Sequence, residues 1–225
     1  MCIFDSKEFY RKWIRDVLDC QNVSTGRIEH SAPFYGGGGG NGGWGCAVVV
    51  VPYNYYKYYF DKDILWESYP YMEKWAEYMF TQTEDGLAIY EEKGAKVLPD
   101  YWNLGDWCTP DKVEIPQGFV NTYYLIKALL YMKEIAVVIN KSFAYDRKIS
   151  ELKNAMVREY FDAGTHTFCN SVQGADAFAL DIGLGDEKTE QGLLAKYSAM
   201  NEFEDENHIR IKPQVSNRLK KSKQR

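Results

Sequence analysis

Apolar residues recur at helical spacing along most of the chain, with turn-forming residues between the periodic segments. Residues 62–81 show this clearly, because apolar residues there alternate at intervals of four and three: Leu65, Tyr69, Met72, Ala76 and Met79. The same spacing predicts helices over residues 7–20, 44–60, 62–81, 118–139, 145–161, 170–184 and 187–200. Pro52 predicts a bend within the second of them.

The predicted helices differ in how much of their surface is apolar. Residues 118–139 carry apolar side chains on two faces, so this helix is expected to be covered on both sides. Residues 145–161 carry a single apolar stripe, so this helix is expected at the outside. Inner helices alternating with outer helices predict an all-α fold of two concentric layers. Strand signals are weak throughout, which argues against a parallel α/β sheet.

Two long segments lack helical spacing. The first contains the glycine run Gly36–Gly40 and ends at Trp44, and such a stretch cannot hold regular structure. It lacks the lysine and hydroxyl residue of a phosphate-binding loop, which leaves a flexible linker or a mobile wall of a ligand site. The second segment, residues 83–117, is predicted to be irregular, and loops of that length are usually functional.

Composition narrows the possible functions. The chain has 225 residues, 45% of them hydrophobic, which is enough for a sizeable core, and its net charge of −5 argues against nucleic acid as a partner. No apolar run approaches the roughly 18 residues of a membrane span, and the N-terminus lacks a signal-peptide pattern, so a cytoplasmic location without membrane contact is expected. The five cysteines are widely spaced and the three histidines are scattered. Reduced thiols, no metal and no cofactor are therefore expected.

Two tryptophans and one carboxylate have the chemistry of a sugar site. Trp44 and Trp107 each follow a glycine-containing turn, and Asp106 directly precedes Trp107. Sugars present C–H groups on one face and hydroxyl groups at the edge, so their sites combine aromatic platforms with acceptors such as carboxylates. Judged from residue chemistry alone, packing of each tryptophan at the base of a loop remains the stronger alternative.

An ordered series of short motifs resembles bacterial α-L-rhamnosidases. The part from Phe9 to Pro33 is similar to the F-x-x-K-W-x-R-D, D-x-Q and G-x-[VI]-x-x-x-A-P series of that family. Further matches follow in the family's order: Gly43-Trp44-Gly45, Val51-Pro52-Tyr53, Tyr69–Trp75, Gly105-Asp106-Trp107, Asn121–Tyr124 and Gln173–Leu180. No single motif is specific, but their order extends over about 200 residues.

The resemblance implies a fold and an activity. The fold is an (α/α)6 toroid of six helical hairpins, of which residues 1–203 would form a part. The activity is inverting hydrolysis of terminal α-L-rhamnosides, in which one carboxylic acid protonates the leaving oxygen and one carboxylate activates water, the two being about 6.5–9.5 Å apart. The resemblance also implies that Trp44 and Trp107 line the rhamnose pocket, to which residue chemistry adds Asp106 as a substrate-binding carboxylate.

The sequence departs from the family at both catalytic segments. The family's general acid belongs to an R-x-E-R-L-G-[WY]-x-G-D segment before the first matched helix, and its general base to a later G-A-T-[ST]-x-W-E segment. Neither motif occurs in the 225 residues, so no catalytic residue is assigned and the chain is expected to be truncated. A noncatalytic remnant or carbohydrate-binding fragment is the alternative to a hydrolase.

An incomplete toroid has consequences for association. Open inner-layer helices would expose apolar residues such as Phe119, Tyr123 and Ile126, and large apolar patches usually signal association. The missing part of the toroid or a second copy is therefore an expected partner, besides a rhamnose-containing carbohydrate. Residues 204–225 turn polar and then basic and are expected to form a disordered tail.

Overall fold

A computed structural model describes residues 6–29, 31–34, 44–88, 115–171 and 173–199. The helices in these residues are α1 (Lys7–Asp19), α2 (Ala47–Tyr59), α3 (Asp63–Thr81), α4 (Gln117–Val138), α5 (Asp146–Tyr160), α6 (Gln173–Asp181) and α7 (Glu187–Ala199). The strands are β1 (Thr83–Glu84), β2 (Leu87–Ala88), β3 (Phe161–Asp162) and β4 (Thr167–Phe168), and a 3-10 turn covers Cys169–Ser171. Contacts divide the chain into one unit, Met1–Leu193, and a second, Leu194–Arg225, whose described residues are the last part of α7.

The prediction of a helical fold is confirmed, and the predicted helices are all present with shifts of a few residues at their ends. Residues 83–88 were predicted to be irregular, and this is wrong, because β1 and β2 form an antiparallel hairpin there. Asp85 and Gly86 form its two-residue turn with φ angles of 50° and 82°, as a type I′ turn requires. Among the described helices, none is both long and apolar enough to cross a bilayer.

The two-layer arrangement follows from which helices contact each other. α2 packs against α1, α3 and α4, and α4 packs against α2, α3 and α5. α4 buries residues on every side from Phe119 to Ala136, whereas α5 buries one stripe that includes Ile149, Leu152 and Met156. Helices α2 and α4 are therefore inner helices, and α1, α3 and α5 cover them from outside.

The expectation that Phe119, Tyr123 and Ile126 are exposed is wrong. Phe119 and Ile126 are fully buried, and Tyr123 is 8% exposed. The cover comes from neighbouring elements of the same chain, since Phe119 meets Tyr160 of α5 edge to face. Tyr123 stacks on Phe178 of α6 with ring centroids 4.6 Å apart. These residues therefore offer no surface for association.

The connection after α1 is held against α1 and α3 by residues of the N-terminal motif series, the matched motifs between Phe9 and Pro33. The buried Gln21 side chain donates from Nε2 to the carbonyl oxygens of Gly26 and Tyr71, both at 2.9 Å. The Trp13 indole Nε1–H donates to the carbonyl oxygen of Ala32 at 3.1 Å. Gly26 has a φ of +84°, and a Cβ at this residue would lie 2.3 Å from the backbone oxygen of Lys74. The motif residues thus hold the connection in place.

Replacing Gly26 by alanine is expected to lower the free energy of unfolding by at least about 2 kcal/mol, because a left-handed φ costs about 1–2 kcal/mol and the clash with α3 adds to it. The matched control is Gly192→Ala, because no atom lies within 4 Å of a Cβ at this helical residue. The control should gain about 0.5–1 kcal/mol. Urea denaturation measures both, and equal midpoints for the two variants would contradict the close approach of Gly26 to α3.

The β1–β2 hairpin is fixed to α4 and α5 where residues 89–116 begin. The backbone N–H of Ala88 donates to Thr122 Oγ1 at 2.9 Å, and this hydroxyl donates to the Gly118 carbonyl oxygen at 2.6 Å. Thr122 is fully buried. Arg158 of α5 donates to the Asp85 carbonyl oxygen at 2.6 Å. The start of the long connection is thereby held at the first turns of α4.

The variant Thr122→Val should lower the free energy of unfolding by about 1–3 kcal/mol, because it leaves the buried N–H of Ala88 without an acceptor. Thr81→Val is the control, since Thr81 is exposed at the end of α3 and water can replace its hydrogen bonds. Thermal unfolding of both variants tests this. A loss of stability no larger for Thr122→Val than for Thr81→Val would refute the role of the Thr122 hydroxyl.

Candidate functional site

The connections between helices alternate in length. Short links follow α2, α4 and α6: residues 60–62 lead to α3, 139–145 to α5 and 182–186 to α7. Long connections precede them: residues 20–46 before α2, 82–116 before α4 and 161–172 before α6. Every long connection therefore leads into the N-terminal end of α2, α4 or α6.

Helices α2 and α4 run parallel. Near their N-terminal ends, burial and then the Cys46 thiol raise the pKa of the Tyr124 hydroxyl of α4, which indicates that the two side chains are near each other. Two turns further along, Tyr53 of α2 stacks on Tyr131 of α4, with ring centroids 4.0 Å apart and an interplanar angle of 12°. From the first contact to the second, each chain segment advances by seven residues toward its C-terminus, so the two helices point in the same direction.

Helix α6 also runs parallel to α4. A Cβ at Gly174 would lie 2.9 Å from Cδ1 of Ile115, which places the start of α6 beside the residue before Pro116 and α4. Further along, the Tyr123 hydroxyl donates to Asp181 Oδ2 at 2.7 Å, and Lys127 pairs with the same oxygen at 2.7 Å. The N-terminal ends of α2, α4 and α6 therefore lie at one end of the inner layer, together with the long connections. N-terminal helix ends favour oxygen atoms with negative charge.

Trp44 lies at this end of the inner layer. It begins the turn Trp44–Cys46 that leads directly into α2, and its carbonyl oxygen accepts from the backbone N–H of Ala47 at 3.1 Å. Its side chain is 42% exposed, an unusual exposure for so large an aromatic residue. A ring at this position can serve as a platform for the apolar face of a sugar.

The other two candidate residues, Trp107 and Asp106, lie outside the described residues. The same is true of the neighbouring carboxylates Asp100 and Glu114. That Trp44 and Trp107 face one concave pocket, with Asp106 beside them, therefore stays a prediction. The connection that contains Asp106 and Trp107, residues 82–116, leads into the N-terminal end of α4.

Three ionisable groups at this end are held in their neutral forms. Burial raises the pKa of the Cys46 thiol to about 12. Burial, reinforced by the nearby Asp176, raises the pKa of the Cys169 thiol to about 12. The pKa of the Tyr160 hydroxyl is also raised to about 12, again by burial first. These groups remain protonated near neutral pH, so none is a ready nucleophile or general base.

Asp176 in α6 has a structural role. It is 1% exposed, and its Oδ1 accepts the backbone N–H of Phe168 at 2.7 Å, which ties β4 to the start of α6. The described residues include no group of three or more His, Cys, Asp or Glu side chains that could hold a metal ion. His166, at the tip of the β3–β4 hairpin, pairs with Asp186. The absence of a metal or cofactor remains a prediction.

Two amide side chains at the start of α4 were not singled out as candidates from the sequence. The Oε1 atom of Gln117 and the Oδ1 atom of Asn121 are buried and accept no hydrogen bond. The two residues are one helical turn apart, and Asn121 precedes Tyr124, which lies near Cys46, by three positions. The sequence signal that could have identified Asn121 is a polar amide within a helix that is apolar on two faces. These oxygens are potential hydrogen-bond acceptors in the first two turns of α4.

The chain matches a protein-family model described as the bacterial alpha-L-rhamnosidase 6 hairpin glycosidase domain, over residues 1–211. Among solved structures it resembles Streptomyces avermitilis α-L-rhamnosidase in complex with L-rhamnose, with 23% identity and a TM-score of 0.73 over 88% of this chain and 18% of that one. It also resembles α-L-rhamnosidase from Dictyoglumus thermophilum, with 22% identity and a TM-score of 0.71 over 86% of this chain and 22% of that one.

The α-L-rhamnosidase from Aspergillus terreus is similar too, with 19% identity and a TM-score of 0.71 over 90% of this chain and 24% of that one. No curated protein gives a significant match. The chain thus spans about a fifth of the length of these solved structures. The family model covers nearly all of the chain, and the solved structures share its helical fold. The chain therefore belongs to the bacterial α-L-rhamnosidase six-hairpin glycosidase domain family.

Proposed function

We propose that this chain forms part of a glycoside hydrolase of the α-L-rhamnosidase type, and that its residues bind and orient the sugar substrate. The family match over residues 1–211 carries the proposal. The Streptomyces avermitilis relative in complex with L-rhamnose supports a rhamnose-containing ligand for this chain too. The position of Trp44 at the end of the inner layer where α2, α4 and α6 begin supports a site there.

The proposed reaction is inverting hydrolysis of terminal α-L-rhamnosides. Trp44 and Trp107 would stack against the C–H face of the sugar, and Asp106 would accept hydrogen bonds from its hydroxyl groups. Inversion also needs a general acid and a general base on opposite sides of the sugar ring. The 225 residues contain neither family motif that supplies these carboxylates, so we assign no catalytic residue.

The alternative is a carbohydrate-binding remnant without hydrolase activity, and the absence of both catalytic motifs from these 225 residues favours it. The neighbouring DNA discriminates between the two functions. An upstream segment encoding E-R-L-G and a downstream segment encoding T-x-W-E in another frame would indicate a broken or split hydrolase gene. The cytoplasmic location remains a prediction.

The sugar-platform role of Trp44 predicts that L-rhamnose binding depends on its ring. Trp44→Leu should weaken L-rhamnose binding by about tenfold or more, because stacking and burial of one aromatic face contribute on the order of 1.4 kcal/mol. Trp66→Leu is the matched control, since Trp66 is 49% exposed and lies on α3. Calorimetric titration with L-rhamnose, and with D-glucose as a reference sugar, measures the effect. Equal affinities for the two variants would contradict the platform.

The absence of the catalytic motifs predicts that the 225-residue chain alone does not hydrolyse an aryl α-L-rhamnoside. Each general acid or base typically contributes about 10²–10⁴-fold in rate, so the loss of both should leave turnover at the level of buffer. Activity above buffer that is abolished by Asp106→Asn would make a carboxylate of residues 100–114 catalytic and would refute the remnant. Asp85→Asn is the control, because Asp85 is exposed and asparagine tolerates its positive φ.

A further inference from the structure

Helix α4 begins without the partners that usually satisfy the start of a helix. Pro116 precedes it, no side chain caps it, and its first turn contains no acidic residue. The Pro116 carbonyl oxygen accepts the backbone N–H groups of Phe119 and Val120 at 3.0 and 3.2 Å. No backbone oxygen of the described residues accepts from the N–H groups of Gln117 and Gly118. Hydrogen-bond donors therefore remain at this helix end.

The side chain of Asn121, one turn further along α4, adds an acceptor. Asn121 is 1% exposed, and neither its Oδ1 nor Oε1 of Gln117 accepts a hydrogen bond. A buried amide oxygen without a donor destabilises the folded chain, and an apolar side chain at the same place would not. Such an atom in a native structure is expected to have a role, and completion by a ligand is one of them.

Asn121 lies on the side of α4 that faces α2. Gln117, Asn121, Tyr124 and Tyr131 follow one another at intervals of four, three and seven residues, so they share one side of the helix. Tyr131 stacks on Tyr53 of α2 with ring centroids 4.0 Å apart. The amide side chains therefore lie on the same side as this contact, nearer the start of α4.

The register of the two parallel helices brings Asn121 to the level of the Trp44 turn. The stacked pair Tyr53 and Tyr131 makes residues 53 and 131 level with each other, and Trp44 is then level with residue 122. On this register α4 extends about two turns beyond Ala47, the first residue of α2. Asn121 belongs to that extension. The first two turns of α4 and the Trp44 turn therefore border the same space over the start of α2.

The polar groups at the start of α4 favour a neutral ligand with hydroxyl groups. A phosphate or carboxylate only accepts hydrogen bonds, so the amide oxygens of Gln117 and Asn121 would repel it. A cation would be repelled by the positive end of the helix dipole. A hydroxyl group donates to an amide oxygen and accepts from a backbone N–H, so it satisfies both kinds of group. Neighbouring hydroxyl groups of a sugar match this pattern, and the C–H face of the sugar is left for Trp44.

We propose that the amide oxygen of Asn121, with Oε1 of Gln117 as a second acceptor, binds hydroxyl groups of the sugar and thereby determines which sugar is bound. This inference deepens the proposed function and rests on it, because the same sugar would contact the Trp44 platform. Asn121 is in this view a specificity-determining residue and takes no part in proton transfer.

Calorimetric titration of the 225-residue chain with L-rhamnose tests the proposal. Asn121→Leu should weaken binding about fivefold or more, because a sugar hydroxyl group loses its buried acceptor. The same variant should raise the thermal midpoint of the unliganded chain by about 2 °C or more, because it removes an unsatisfied buried oxygen. Asn121→Ala, which adds no volume, should weaken binding to the same extent. Ser68→Ala is the matched control, since Ser68 of α3 is fully buried with an unpartnered Oγ, and its affinity should equal that of the wild type.

Analogues of L-rhamnose that each lack one ring hydroxyl group show whether the contact is direct. One analogue should bind the wild type about fivefold more weakly than L-rhamnose, whereas Asn121→Leu should bind the two sugars equally. A purely structural role of Asn121 would leave this discrimination unchanged in the variant, and that result would overturn the proposal.

The outcomes also separate this inference from the proposed function. Wild-type affinity of both Asn121 variants, with Trp44→Leu still weakening binding, would overturn the role of Asn121 and leave the sugar platform intact. A lower thermal midpoint of Asn121→Leu with unchanged affinity would indicate an ordered water on the amide oxygen and would likewise overturn it. A wild-type chain that does not bind L-rhamnose would overturn both.

Discussion

The burial of α4 on all of its sides is the constraint on which the rest of the structure depends. A helix of 22 residues with apolar side chains all round can be stable in water only if neighbours cover each face. The chain supplies α2 and α6 as parallel neighbours in the same layer and α3 and α5 as the outer cover. The burial of α4 therefore determines which helices must surround it.

Polar contacts between the inner helices set their register. The Tyr123 hydroxyl and the Lys127 ammonium group of α4 meet the same oxygen of Asp181 of α6. Further along α4, Tyr53 of α2 lies flat on Tyr131 and donates to Glu134. Apolar packing alone would allow the helices to slide, whereas these directional contacts align the three N-terminal ends.

Much of the fold could be predicted from the sequence because helical periodicity is a local property. The helix over residues 62–81 is an example, since its apolar positions alone located it. The β1–β2 hairpin was missed although Asp85-Gly86 is a strong signal for a two-residue turn, because the flanking strands are only two residues long. The two apolar faces of residues 118–139 predicted that α4 is covered on both sides, but not that α5 covers Phe119, because periodicity identifies an apolar face and not the element that packs on it.

The candidate site could be predicted only in part. The position of Trp44 could be predicted because it ends a glycine-rich segment just before a helix, whereas its role in sugar binding stays a prediction. The buried oxygens of Gln117 and Asn121 depend on the packing of neighbouring helices, which no local pattern records. The motif series from Phe9 to Pro33, which served only to identify the family, has a structural role. Trp13 and Gln21 bind backbone oxygens and hold a connection in place.

The alternation of short and long connections gives the two ends of the molecule different freedom to change in evolution. At the end with the short links, a link of three residues such as 60–62 cannot gain or lose residues without moving the helices it joins. At the other end, a connection can lengthen by several residues at a small entropic cost, provided that anchors such as Gly26 and Thr122 are kept. Insertions and deletions should therefore accumulate at one end, and members of such a lineage could acquire new ligand preferences while the helical scaffold is inherited unchanged.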